Sequence, residues 1–92
     1  MADVTRVQTE IKVNVRYFAA ARAAAGMEEE TLAVPEGTSV ADLVERLSAR
    51  NASLATVLQR CSFLRDGIAV RNRTEPLSTN QTVDVLPPFA GG

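Results

Sequence analysis

The sequence predicts an α+β domain in which one main helix covers one face of a mixed sheet of about five strands. Three patterns carry that prediction. Ile11-Lys12-Val13-Asn14-Val15-Arg16-Tyr17-Phe18 alternates apolar and polar residues, and Thr82-Val83-Asp84-Val85-Leu86 does so again near the other end; a period of two marks a half-buried strand. Val40, Leu43, Val44 and Leu47 stand at i, i+3, i+4 and i+7, the apolar stripe of an amphipathic helix. Asp66-Gly67 separates Phe63-Leu64-Arg65 from Ile68-Ala69-Val70, and Asp-Gly between apolar runs is a strong two-residue hairpin signal.

The elements follow in order. Residues 1–9 are polar and aperiodic and read as a loose extension. In the first strand Ile11, Val13, Val15 and Tyr17 are expected to face the core. Ala19 to Ala25 is a short helical turn by propensity, and Gly26 is placed to stop it in a left-handed conformation. Glu28-Glu29-Glu30 is an acidic run expected in solvent. Thr31-Leu32-Ala33-Val34 forms a second strand with Leu32 and Val34 inward, ended by Pro35 and a turn at Glu36-Gly37. Thr38 or Ser39 caps the main helix, which runs to about Arg50-Asn51. Leu54, Val57, Leu58 and Cys61 continue the helical spacing into a second short helix. After the hairpin, Arg71 to Gln81 reads as polar turn, and the strand over 82–86 closes the domain. The organisation expected is an extension over 1–9, a folded domain over 10–86 and a tail over 87–92.

Composition removes whole classes of chemistry. The 92 residues are 46% hydrophobic, enough for one core in one domain. A net charge of −1 gives no footprint for nucleic acid or a membrane surface. No apolar run is long enough to span a bilayer. The N-terminus shows no basic-then-apolar leader, so a cytoplasmic location is expected. There is no histidine and one cysteine, hence no imidazole base, no disulfide and no metal site expected. Cys61 has no obvious activating neighbour and reads as a small buried hydrophobe. No glycine-rich phosphate loop is present. Such a chain suits a carrier, a binding module or a subunit better than a self-sufficient catalyst.

The last six residues, Pro87-Pro88-Phe89-Ala90-Gly91-Gly92, are the most informative. Two glycines without side chains can thread a channel where a Cβ would clash. The prolines stiffen the base of the arm toward polyproline II. Extended at roughly 3.3 Å per residue, six positions reach about 20 Å, far enough to bring the Gly92 carboxylate into another protein's active site. The apolar last strand runs straight into Pro87, so the arm is expected to be anchored on the core.

Strand order and tail together resemble the ubiquitin-like β-grasp sulfur carriers of the MoaD/ThiS family, on the branch that serves molybdopterin synthase as its small subunit. The resemblance covers residues 11–92. It rests on Phe18-Ala19-Ala20-Ala21-Arg22-Ala23-Ala24-Ala25-Gly26, similar to the family's F-A-x-x-R-x-x-x-G, and on Pro76-Leu77 followed by the last strand and the Pro-Pro-Phe-Ala-Gly-Gly tail. Ala23 stands where relatives often have an acid, and Thr79-Asn80-Gln81-Thr82 where they often have D-G-D-E.

The resemblance implies a role for each residue. Gly92 would be adenylated by a MoeB-like enzyme using ATP and converted to a thiocarboxylate with sulfur from a donor. It would then pass that sulfur to cyclic pyranopterin monophosphate on a MoaE-like large subunit. Gly91 would give steric clearance. Phe89 would anchor the arm, Pro87, Pro88 and Ala90 would belong to it, and Phe18 and Arg22 would lie on the docking face. No resident cofactor is implied. The residues leave open carriers that send sulfur to thiamine, cysteine or tRNA, a ubiquitin-like modifier joined to lysine, and an interaction domain whose Gly-Gly is incidental.

Overall fold

The structure is a computed structural model that describes residues 9–88. The chain forms β1 (Glu10–Tyr17), α1 (Ala19–Ala25), β2 (Glu29–Pro35), α2 (Val40–Arg50), α3 (Ala52–Leu58), β3 (Ser62–Arg65), β4 (Ile68–Ala69) and β5 (Gln81–Leu86). The five strands lie in the order β2-β1-β5-β3-β4, with β1 and β5 parallel at the centre and the other neighbours antiparallel. The expected α+β architecture is present, with one more regular helix, since Ala19–Ala25 is a complete short helix.

Period-two alternation puts Ile11, Val13, Val15 and Tyr17 of β1 and Val83 and Val85 of β5 on the helix side of the sheet, all buried. They meet Val40, Leu43 and Leu47 of α2 and Leu54 and Leu58 of α3 in one core. Burying apolar side chains of this size stabilises the fold by about 1.5–3 kcal/mol each. Leu32, Val44 and Val57 are only partly buried against it.

Local chemistry fixes the boundaries. Gly26 has φ 78° and its N–H bonds the Arg22 carbonyl, closing α1 as expected. Ser39 and Asp42 form a reciprocal capping box on α2, each side chain accepting from the other's backbone N–H at 3.1 Å. Asn51 ends α2 and starts α3. Its Oδ1 accepts from Leu54 N–H at 3.0 Å and its Nδ2 donates to the Ala24 carbonyl at 2.9 Å, tying three helices at one residue. Asp66 and Gly67 both have positive φ, 50° and 84°, as a tight hairpin turn demands.

Four expectations needed correction. β2 begins at Glu29, and Glu30, expected in solvent, is half-buried beneath α2. Cys61 is buried as expected but lies beyond α3, which stops at Leu58; Cys61 and Phe63 are alternate inward residues leading into β3. Leu77, placed in a polar turn, is a core residue whose N–H bonds the Thr38 carbonyl at 2.8 Å. β4 covers two residues, with Ile68 exposed.

Candidate functional site at the base of the tail

Because β1 and β5 are parallel, they end at the same edge of the sheet, with Tyr17 opposite Val85. Phe18 N–H then donates to the Val85 carbonyl at 3.3 Å. This bond places Phe18, and the helix α1 that follows, beside the point where β5 passes into Pro87-Pro88. Pro87 is half-buried and Pro88 exposed. Phe89, Ala90, Gly91 and Gly92 lie outside the described residues.

Phe18 is 38% exposed, which separates it from the core residues of the strand it follows. Its ring lies 5.5 Å from the Arg16 guanidinium, within cation–π range. Arg22 is exposed and 3.7 Å from Glu28, a surface pair of little energetic weight. Arg16, Tyr17, Phe18, Arg22, Glu28 and Glu29 line one shallow depression of 170 Å³. The two docking residues expected from sequence are therefore brought together, next to the tail. Ala19, between Phe18 and Arg22, holds φ 50°, a left-handed conformation that costs a residue with a Cβ about 1–2 kcal/mol.

Sequence reasoning missed two polar clusters here. Asp84 lies in the middle of β5 and is 5% exposed. Arg16 grips it in a fork, Nε at 2.7 Å and Nη2 at 3.0 Å, and this bond and the charge behind it raise the arginine's pKa. The two stand opposite each other in the parallel register, so the pair locks the last strand to the first three residues before Pro87. A lone acid in an apolar strand was the available signal. The second cluster joins Tyr17, Glu30 and Arg50. Tyr17 Oη donates to Glu30 Oε2 at 2.5 Å, and Arg50 donates to Oε1 and Oε2 at 3.2 and 2.7 Å. Burial, then the bond to Glu30, pushes the tyrosine pKa far up. For Glu30, burial pulls upward, but the bonds from Arg50 and Tyr17 and the Arg50 charge together outweigh it and hold the carboxyl below its ordinary value.

The thiol is not primed for attack. Cys61 donates to the Val57 carbonyl at 3.3 Å, and burial pushes its pKa up against the opposing Arg73 charge. Among the described residues, no three acidic, cysteine or histidine side chains gather as metal ligands, and no helix is long and apolar enough to cross a membrane. What the described geometry offers is a rigidly held strand, a small face at its end that sets the exposed Phe18 ring among paired charges, and a stiff exit.

Comparison with known proteins agrees with this arrangement. A molybdopterin synthase sulfur carrier subunit of Chlamydomonas reinhardtii is 31% identical over 83 residues, covering 89% of this chain and 100% of the relative. A Pyrococcus furiosus structure assigned as molybdopterin converting factor subunit 1 matches with a TM-score of 0.77 at 31% identity, covering 86% of this chain and 99% of that one. The small archaeal modifier protein 1 of Methanosarcina acetivorans matches with a TM-score of 0.76 at 25% identity over 91% and 99% of the two chains. The fold is the ubiquitin-like β-grasp. Residues 15–92, through both the Phe18 to Gly26 segment and the tail, match the ThiS family, and the chain belongs to it.

Proposed function

We propose that this chain is the sulfur-carrier small subunit of a molybdopterin synthase, acting through the carboxylate of Gly92. The observation that carries the reading is the family match running through Gly92, joined to a structure in which β5 leads straight from a pinned strand to the exit at Pro87-Pro88. A relative bearing the sulfur-carrier name is matched along its whole length.

The chemistry explains the equipment. A carboxylate resists nucleophiles because its charge is delocalised and oxide is a poor leaving group. Attack of a Gly92 carboxylate oxygen on the α-phosphorus of ATP releases pyrophosphate and leaves an acyl adenylate. A sulfur nucleophile then displaces AMP from the acyl carbon, and the thiocarboxylate that results is a soft, water-stable nucleophile. A MoeB-like enzyme would perform the activation, and a MoaE-like large subunit would hold cyclic pyranopterin monophosphate, both in the cytoplasm. These partners would supply the acid–base groups and charged pockets, so this chain needs neither histidine nor an activated thiol. Its own contribution is positioning: Arg16–Asp84 fixes the base of the arm, Phe18 and Arg22 dock it, and Gly91 passes where a Cβ would not. Delivery from a docked arm converts an encounter into an oriented step.

A second reading, a protein modifier joined to lysine, is favoured by the likeness to small archaeal modifier protein 1. One experiment separates the two. The protein is incubated with ATP, a candidate activating enzyme and a sulfur donor, and its intact mass is measured. Exchange of one oxygen for sulfur at Gly92, abolished by deleting Gly92 from a chain that stays folded, is the result expected of a carrier. A lysine-linked adduct would establish the modifier. An unchanged mass, with an enzyme shown to activate another carrier, would refute both.

A further inference from the structure

We propose that the edge of β2, unpaired among the described residues, and the groove beside it form a docking site for an extended apolar peptide segment carrying an acidic residue, which adds to the sheet as a further strand. This goes beyond the sulfur-carrier reading and does not depend on it.

The register shows what the edge offers. Glu36 N–H bonds the Thr9 carbonyl and Tyr17 N–H bonds the Glu28 carbonyl, which fixes the hydrogen-bonded pairs of the β1–β2 ladder. Antiparallel pairs alternate, so Val34, Leu32 and Glu30 turn their backbone groups toward β1 and Thr31 and Ala33 turn theirs away. β2 is the outer strand of the described sheet, and the outward N–H groups of Thr31 and Ala33 have no partner among the described residues. Such an edge is usually blunted by charged side chains, proline or a bulge; β2 carries charges at Glu29 and Glu30 and a proline at Pro35, and Thr31 to Val34 between them are uncharged. The opposite edge, β4, spans two residues, too short to seat a strand.

A groove of 340 Å³ runs between this edge and α2, lined by Leu32, Val34, Leu47 and Ala49, with Arg46 and Arg50 on the helix side. A strand added to β2 presents alternate side chains to that groove, which fits apolar ones. Arg50 is already held by Glu30, so that wall is fixed. Arg46 makes no ion pair among the described residues, and its charge selects an acidic residue in the guest. A second copy fits poorly, because antiparallel pairing of two β2 edges sets Glu29 of one against the Glu36 end of the other.

The test uses isotope-labelled full-length protein and a capped synthetic peptide, Glu-Val-Ile-Val-Ile-Glu-Glu, followed by amide NMR shifts. Saturable shifts confined to residues 29–34 and 44–50 are expected. Ala33→Pro, which removes an outward N–H, and Arg46→Glu should each weaken binding about tenfold or more, and a peptide with lysine for glutamate should recover binding to Arg46→Glu. A peptide N-methylated at alternate amides, tested on the unaltered protein, should lose binding without any question of folding. Shifts elsewhere, no shift at millimolar peptide, or unchanged affinity for the N-methylated peptide overturns the proposal. So do concentration-dependent shifts at β2 without peptide, which assign the edge to a second copy. The tail takes no part, so failure leaves the sulfur-carrier reading untouched.

Discussion

Replacing Tyr17 by phenylalanine probes the Tyr17–Glu30–Arg50 cluster with a single atom. The ring stays in the core, where Tyr17 is 2% exposed, and only the donor to Glu30 at 2.5 Å is lost. A hydrogen bond to a charged group is worth about 1.5–3 kcal/mol. Glu30 keeps both Arg50 bonds and its side chain is 16% exposed, so water and Arg50 recover part of that, leaving a loss of about 1–2 kcal/mol. In a domain of this size, such a loss lowers Tm by about 4–16 °C.

The pH dependence is the sharper readout. Glu30 has a folded pKa below its reference of 4.5, so the unfolded chain binds more protons there; its contribution is complete above that reference and is lost as pH falls through the folded value. Tyr17 has a folded pKa raised above 10.0, so the native state keeps a proton that the unfolded chain releases, and stability falls as pH rises past 10.0. Tyr17→Phe should remove the loss of stability that sets in past pH 10.0, leaving the share of the buried Cys61 thiol, whose pKa is also raised, and should flatten the acid limb in part. Tyr17 is the sole tyrosine and there is no tryptophan, so tyrosinate absorbance follows this one hydroxyl directly. It should stay silent through pH 10 and rise only with loss of the near-UV signal of the fold. Ionisation near pH 10 in a folded protein would refute the cluster.

Ser39→Ala removes the α2 capping box and should cost about 1 kcal/mol, read as a shift in the urea midpoint with an unchanged slope. Ala19→Val puts a β-branched side chain at φ 50° and should destabilise by about 1–2 kcal/mol, whereas Ala19→Gly should not, both by thermal melts. Phe18→Ala removes a ring already 38% exposed. It should leave Tm within a few degrees while slowing Gly92 activation by about tenfold, and normal activation kinetics would take Phe18 off the docking face.

The legible parts were those with a local cause. Alternation gave the inward residues of β1 and β5, spacing gave the stripe of α2, and Asp66-Gly67 gave its hairpin. Phe18 and Arg22, singled out through their motif, do line one depression. Illegible were the contacts set by register. Asp84 and Arg16 are 68 residues apart, and nothing in either strand announces that the two are parallel neighbours in step. Glu30 looked like one acid in a run of three, because its difference from Glu29 is only which side of β2 it faces. Cys61 fitted a helix because i+3 and i+4 spacing and the period-two entry to β3 coincide at that residue. Leu77 was hidden among polar neighbours, as a single buried anchor in a long loop has no period to betray it.

The same register explains why the tail begins where it does. A strand at the sheet's edge would give an arm whose base frays with it. β5 instead lies between β1 and β3 and is covered on both faces: Val83 and Val85 are fully buried in the helix-side core, and Asp84 is closed off by Arg16 on the other. Opening such a strand means breaking two ladders, the core and a forked ion pair together, which places it near the top of the range of local stabilities. Leu86 is half-buried, Pro87 half-buried and Pro88 exposed, so restraint falls away over three residues. The two prolines stand at that boundary, where the missing N–H groups cost no ladder bonds and the fixed φ carries the direction of β5 outward. The proposed carrier role needs an arm fixed at its root; central placement of β5 supplies that root, and the parallel β1 that makes it central also brings Phe18 and Arg22 alongside.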